Sequence, residues 1–293
     1  MDNIPATPAK IGSLDASQRV VRESWAILKQ DREIIWFPII SLLCSMIALT
    51  ALVIIYWFVR GGDLNVFDQA NQRGAGAIWN YGFAFIYYLV SFFIVNFFQA
   101  GILIIANARF NNQNFTFEQG FQGAAQNIRK IFLWSLISAT VGVILDILYD
   151  KFKLVGKIAA TVLGAAWNIM TYFSLPSLII GQTSVKDSFK ESARVIRKTW
   201  GEAIIINFGA GLFFSMIIIL GAIISGILIA AFPTPFVFIS VSTIFVVFIL
   251  SIIVLSSALG IIFKLALYKY ALTGQIPPGF SPELIQGAVK VKS

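Results

Sequence analysis

Six stretches of this chain are long, apolar and almost free of charge: residues 34–59, 78–108, 131–148, 154–181, 203–231 and 236–267. A bilayer's hydrocarbon core, about 30 Å thick, is crossed by roughly 20 apolar residues in a helix. At that depth an open strand would leave backbone N–H and C=O groups with no water to bond, so helices are the available solution. The chain therefore reads as an all-α membrane protein with six transmembrane helices. The second and sixth stretches exceed a bilayer's thickness, which predicts tilt or helical continuation beyond the membrane.

Composition agrees. Charged residues make up 12% of the chain, hydrophobic ones 58%, and the mean hydropathy is +0.82. A soluble domain carries about 25% charged residues, so this chain lacks the charge to cover a water-facing surface. The 27 phenylalanines, 7 tryptophans and 8 tyrosines suit lipid-facing helices and interfacial belts. Residues 1–12 are polar with two prolines and read as a flexible tail, without the basic-then-apolar layout of a cleaved leader. The first apolar stretch is then expected to remain as a span.

The basic residues set a direction. Of 22 lysines and arginines, 17 fall on the side that holds the N-terminal segment, 109–130, 186–202 and the C-terminal segment, and 5 fall on the other side. The positive-inside bias predicts both termini in the cytoplasm, in the plasma (inner) membrane of a prokaryote. Residues 273–293 are expected as a cytoplasmic C-terminal tail.

A repeat lies in the segments ahead of the outward-going spans. Phe121, Ala125, Ile128, Arg129 and Lys130 align with Phe189, Ala193, Ile196, Arg197 and Lys198, and aromatics follow at Phe132 and Trp200. A weaker copy runs through Leu14, Gln18, Val21, Arg22 and Trp25. Spacings of four, three and four place each set on one helix face. Amphipathic helices are predicted near 13–33, 117–130 and 185–201, with start signals at Ser13, Thr116 and Ser184. The architecture is then three units, each an interfacial helix followed by a transmembrane hairpin, within a membrane domain over 13–272. Arg22, Arg129, Lys130, Arg197 and Lys198 are the expected headgroup or partner contacts.

The run Leu28, Lys29, Gln30, Asp31, Arg32, Glu33 leading into Trp36, Phe37 and Pro38 resembles the opening of an uncharacterised prokaryotic family of membrane proteins. The stretch from Ala166 through Thr171, Tyr172 and Phe173 to Pro176, and that from Phe189 to Glu202, are similar to the same family. The resemblance covers most of the chain. It implies six spans and no agreed activity.

Polar residues inside the apolar stretches are the remaining candidates. Asn96, Gln99, Asn168, Thr171 and Asn207 could join helices by hydrogen bonds or line a polar pathway, and Pro176 could be a structural kink or a gate. Asp146, the deepest acid, is expected at an interface beside a nearby lysine. With one cysteine (Cys44) and no histidine, an internal disulfide and a Cys/His zinc site are excluded, and no phosphate loop or nucleophile motif is present. No catalytic residue, metal or cofactor is expected. The expected partners are membrane lipids, other membrane proteins or further copies of the chain, not nucleic acid. Function is then a non-enzymatic protein that organises lipid or partners, or alternatively a transporter or channel for a small solute.

Overall fold

A computed structural model describes residues 13–59, 61, 75–198 and 202–288. Six helices in it are long and apolar enough to cross a membrane. In chain order the helices are α1 (Ser13–Gln30), α2 (Trp36–Val59), α3 (Ala75–Phe110), α4 (Phe117–Gln126), α5 (Ile128–Lys151), α6 (Lys153–Met170), α7 (Ser174–Ile179), α8 (Val185–Lys198), α9 (Glu202–Ala231), α10 (Pro235–Thr273) and α11 (Pro282–Ala288). Helix α3 runs for 36 residues and α10 for 39. At about 1.5 Å per residue both outreach a hydrocarbon core of about 30 Å, as the length of their apolar stretches predicts. Helices α1 and α8 occupy two of the three stretches expected to be amphipathic, and in the third α4 ends at Gln126, so that Ile128, Arg129 and Lys130 fall in α5. The tail 1–12 and Trp200 lie outside the described residues, as do the side chains of Leu14, Lys198 and Asn207.

The chain divides into two compact units. One comprises residues 36–104 and 116–193. Here α2 meets α3 through Tyr56, whose hydroxyl donates to Asn80 Oδ1 at 2.6 Å and whose ring lies 4.3 Å from that of Phe83. Lower down, Phe37 is fully buried against Phe98 and Phe117. Gly101 makes that possible: a Cβ there would stand 1.9 Å from Phe37 Cε1. Helices α5 and α6 form an antiparallel hairpin with only Phe152 between them. Its tightness requires Gly156, where a Cβ would fall 2.1 Å from the Leu148 carbonyl oxygen.

The other unit comprises residues 1–35, 105–115 and 194–293. Helices α9 and α10 form its hairpin. Thr234 caps α10, accepting from Val237 N–H at 3.3 Å, with Pro235 in the first turn where no N–H is missed. Gly274 ends α10 in the left-handed conformation (φ 71°). Helix α1 packs on α9 and α10 through Val20, Ser24, Ile27 and Leu28. The segment expected as a C-terminal tail instead turns back onto this core. Phe280, Leu284 and Ile285 are buried, and Ser281 donates from its backbone N–H and hydroxyl to Glu23 of α1 at 3.0 and 2.7 Å.

The surface is lipid-like. None of the apolar window of α9 is buried, nor more than 6% of those of α2 and α10. Large apolar side chains such as Ile47, Ile219, Phe236 and Ile244 stand exposed along these helices. In water this area would cost far more than a domain's net stability, at about 25 cal/mol per Å². In hydrocarbon it costs nothing.

Candidate functional site

Three polar constellations stand out against this apolar background. The first gathers the ends of α1, α3 and α10 in one unit. The guanidinium of Arg109, in the last turn of α3, donates through Nε and Nη2 to both carboxylate oxygens of Asp31, the residue after α1. Arg109 also donates to Asn114 Oδ1 at 2.9 Å. Asp31 is almost wholly buried, so its charge is met inside the protein. One turn away, Lys269 of α10 donates to Asn107 at 3.1 Å and Asn111 at 3.0 Å and sits over the ring of Phe110. In the sequence, Asp31 belongs to the family-like opening and stands with Glu33 near the positive end of span one, and neither it nor Arg109 or Lys269 is a candidate site residue there. The signal was nonetheless there: a base lies beside an aromatic at the end of both the second and the sixth apolar stretches.

The second constellation surrounds the interruption of span four. Pro176 has no N–H for the carbonyl four residues back, and its ring crowds that carbonyl. Helix α6 accordingly stops at Met170, residues 171–173 tighten into turns, and α7 resumes at Ser174. The tightening shows in the bonds from Tyr172 N–H to Ile169 and from Ser174 N–H to Thr171, each spanning three residues. A break of this kind needs substitutes for the lost ladder. Ser192 of α8 supplies one, accepting the Phe173 N–H at 3.0 Å. Ser177 donates to Glu191 Oε2 at 2.8 Å and shares a hydrogen with Thr183 at 3.0 Å. Ser174, Ser177, Ser188 and Ser192 are all fully buried. The hydroxyls thus join α7 to α8.

The third is a set of exposed bases beside exposed apolar side chains. On α1, Arg22 is exposed, Trp25 is 37% exposed, and Lys29 lies over the Trp25 ring at 5.6 Å. At the α4–α5 junction, Ile128 and Phe132 are 48% and 44% exposed and flank the exposed Arg129. Helix α8 differs. It exposes Arg197 but buries Val195 and Ile196.

The residues singled out in the sequence separate accordingly. Asn96 donates to Ser135 Oγ at 3.1 Å and joins α3 to α5. Gln99 is half-buried one turn further along α3, and Asn168 is exposed on α6. The Thr171 hydroxyl donates to the Trp167 carbonyl of its own helix at 2.7 Å. Among the described residues, no hydrogen bond connects any two of these four. Pro176 is buried at the break just described. Lys130 donates to Gln182 Oε1 at 2.9 Å. Asp146 accepts from the Tyr88 hydroxyl at 2.8 Å, so its partner is an aromatic hydroxyl rather than the expected lysine. The side chains of Asn207 and Lys198 lie outside those described.

In the first turn of α8, the Asp187 carboxyl is held below the ordinary carboxylate range, chiefly because Ser184 donates to it at 2.7 Å, with Lys190 adding attraction. Asp187 N–H in turn donates to Ser184 Oγ at 3.1 Å, a reciprocal cap on the helix start.

Six helices long and apolar enough to cross a membrane, with large apolar side chains exposed along them, mark an all-helical membrane protein among the described residues. The chain belongs to a family of unknown function, DUF6159, whose model matches residues 78–278. That range takes in the segments around Pro176 and Arg197 and begins after the opening at Leu28–Pro38. No curated protein and no solved structure matches the chain.

Proposed function

We propose that this protein is a non-enzymatic membrane protein that organises lipid or partner molecules through the helices preceding its outward-going spans. The observation that carries this reading is the exposure of Arg22, Arg129 and Arg197 on three separate helices of one recurring pattern. The excess of bases on the side of these helices supports a cytoplasmic placement for them and for both termini, in the plasma membrane of a prokaryote. Three hairpins, each led by one such helix, form the proposed repeat. Partners are membrane lipids, other membrane proteins or further copies of the chain.

The test is isolation of the full chain from native membranes in a mild detergent, beside a variant with Arg129, Lys130, Arg197 and Lys198 changed to Gln. Loss of co-isolated lipid or protein in the variant supports the reading. An unchanged set of companions removes it.

A transporter or channel for a small solute is the second reading. The interruption of span four at 171–173, edged by buried hydroxyls and Glu191, favours it, since broken membrane helices often form ion sites. Proteoliposomes loaded with a pH-sensitive dye and challenged with a sodium gradient test it. A flux above that of empty vesicles and abolished by Ser177→Ala supports transport. A flux equal to empty vesicles counts against it for those ions.

A further inference from the structure

The recurring pattern is not displayed equally by the three helices, and the difference identifies what two of them touch. On α1, Arg22 is followed one turn later by Trp25, and both face outward. At the α4–α5 junction, Arg129 is followed one turn later by Phe132, again outward, with Ile128 exposed beside them. A base and an aromatic three residues apart stand on the same face of a helix. Their polar and apolar ends suit two adjacent layers: phosphate for the guanidinium, and the headgroup–acyl boundary for the ring.

Among the described residues, no acid forms an ion pair with Arg22 or Arg129. Glu23, beside Arg22, accepts two hydrogen bonds from Ser281. Asp31 is matched by Arg109. Glu118, one helix earlier than Arg129, accepts from Gln122 at 3.0 Å. On α8, by contrast, the exposed Lys190 has Asp187 at 3.7 Å, and the apolar members Val195 and Ile196 are turned inward.

We infer that Arg22 with Trp25, and Arg129 with Phe132, are two binding sites for anionic phospholipid, the base taking the headgroup phosphate and the ring seating against the upper acyl chains. The occupant is a lipid and not a free phosphate, because each base has an exposed apolar neighbour that a small anion would leave uncovered. This inference rests on the organising role proposed above and narrows it to one class of molecule.

The experiment is electron spin resonance of the full chain reconstituted in phosphatidylcholine, with trace spin-labelled phosphatidylglycerol or spin-labelled phosphatidylcholine. The measured quantity is the relative association of the two probes in the motionally restricted shell. The wild-type chain is expected to prefer the anionic probe by about fivefold, the scale of one base near an anionic surface. Arg22→Gln with Arg129→Gln should bring the ratio close to one, and Arg22→Lys with Arg129→Lys should restore most of it. Trp25→Ala with Phe132→Ala should lower it while keeping its sensitivity to salt. Lys190→Gln removes the same kind of charge and should leave it unchanged. Added glycerophosphate should not compete.

Equal association of both probes with the wild-type chain, or an effect of Lys190→Gln as large as that of the arginine pair, overturns the inference. If the ratio is one while the co-isolated proteins are still lost in the Arg129, Lys130, Arg197 and Lys198 variant, the organising role stands and its occupant is protein. If both experiments are negative, the organising role fails as well.

Discussion

Arg109 and Asp31 face each other through two parallel N–H to oxygen contacts, joining the end of the long helix α3 to the end of α1 across 78 residues of sequence. The carboxylate is 4% exposed and the guanidinium 24%. Removing one member of such a pair strands the other, which typically costs about 3–5 kcal/mol. Asp31→Asn should therefore lower the thermal midpoint of the detergent-solubilised chain substantially. Arg109→Lys should not preserve it, because a single ammonium cannot reproduce the paired contact. A midpoint equal to wild type in Asp31→Asn would show that the pair carries no stability.

Gly101 is the narrowest point of α3. Gly101→Ala places a methyl group where the Phe37 ring now lies. Overpacking of this kind typically costs about 1–3 kcal/mol. The variant should unfold earlier, and Phe37→Leu in the same chain should recover part of the loss. Failure of the second change to help would mean that the ring is not what the added methyl meets.

At the span-four break, Ser192→Ala deprives the Phe173 N–H of its acceptor. An unsatisfied buried donor costs about 1–3 kcal/mol. The local signature is faster hydrogen exchange at the Phe173 amide, with little change at α5. Pro176→Ala should act oppositely on the backbone, restoring a donor and drawing residues 171–173 toward continuous helix. Unaltered exchange at Phe173 in Ser192→Ala would remove the serine from this role.

The Asp187 carboxyl titrates below its unfolded value because Ser184 donates to it. A group depressed in the folded state contributes stability above its unfolded pKa, and that contribution fades as pH falls through its folded value. Exchange at the first amides of α8 should therefore quicken relative to α4 as pH drops below the ordinary carboxylate range of about 4. Ser184→Ala should show fast exchange already at neutral pH. A start of α8 that exchanges alike at neutral and acidic pH would contradict the cap.

The spans were legible in the sequence because a charge-free apolar run of bilayer length has few alternatives. The six apolar stretches coincide with α2, α3, α5, α6 with α7, α9 and α10 to within a few residues at most ends. The start of α4 was legible too, since Thr116 and Gln119 cap each other reciprocally. What could not be seen was pairing across distance. Asp31 and Arg109, or Lys269 and Asn107, share no periodicity, and only the packing of α1, α3 and α10 brings their ends together. The contrast between Ile128, exposed at the start of α5, and Ile196, buried on α8, was equally hidden. Helical spacing fixes which residues share a face but not which way that face turns. Pro176 announced a break, while Ser188 and Ser192, which meet it from α8, read as ordinary polar residues of the following segment.

The clasp between Glu23 and Ser281 has a consequence for how the chain is made. Helix α1 leaves the ribosome well before α9, α10 and α11, on which it packs, and the residue that holds Glu23 follows 258 positions later. At about 5–20 residues per second of synthesis, α1 waits for tens of seconds before its seat exists. During that interval its apolar face must be sheltered by the membrane surface or by a chaperone. Helix α1 is thus made long before it can reach its native place.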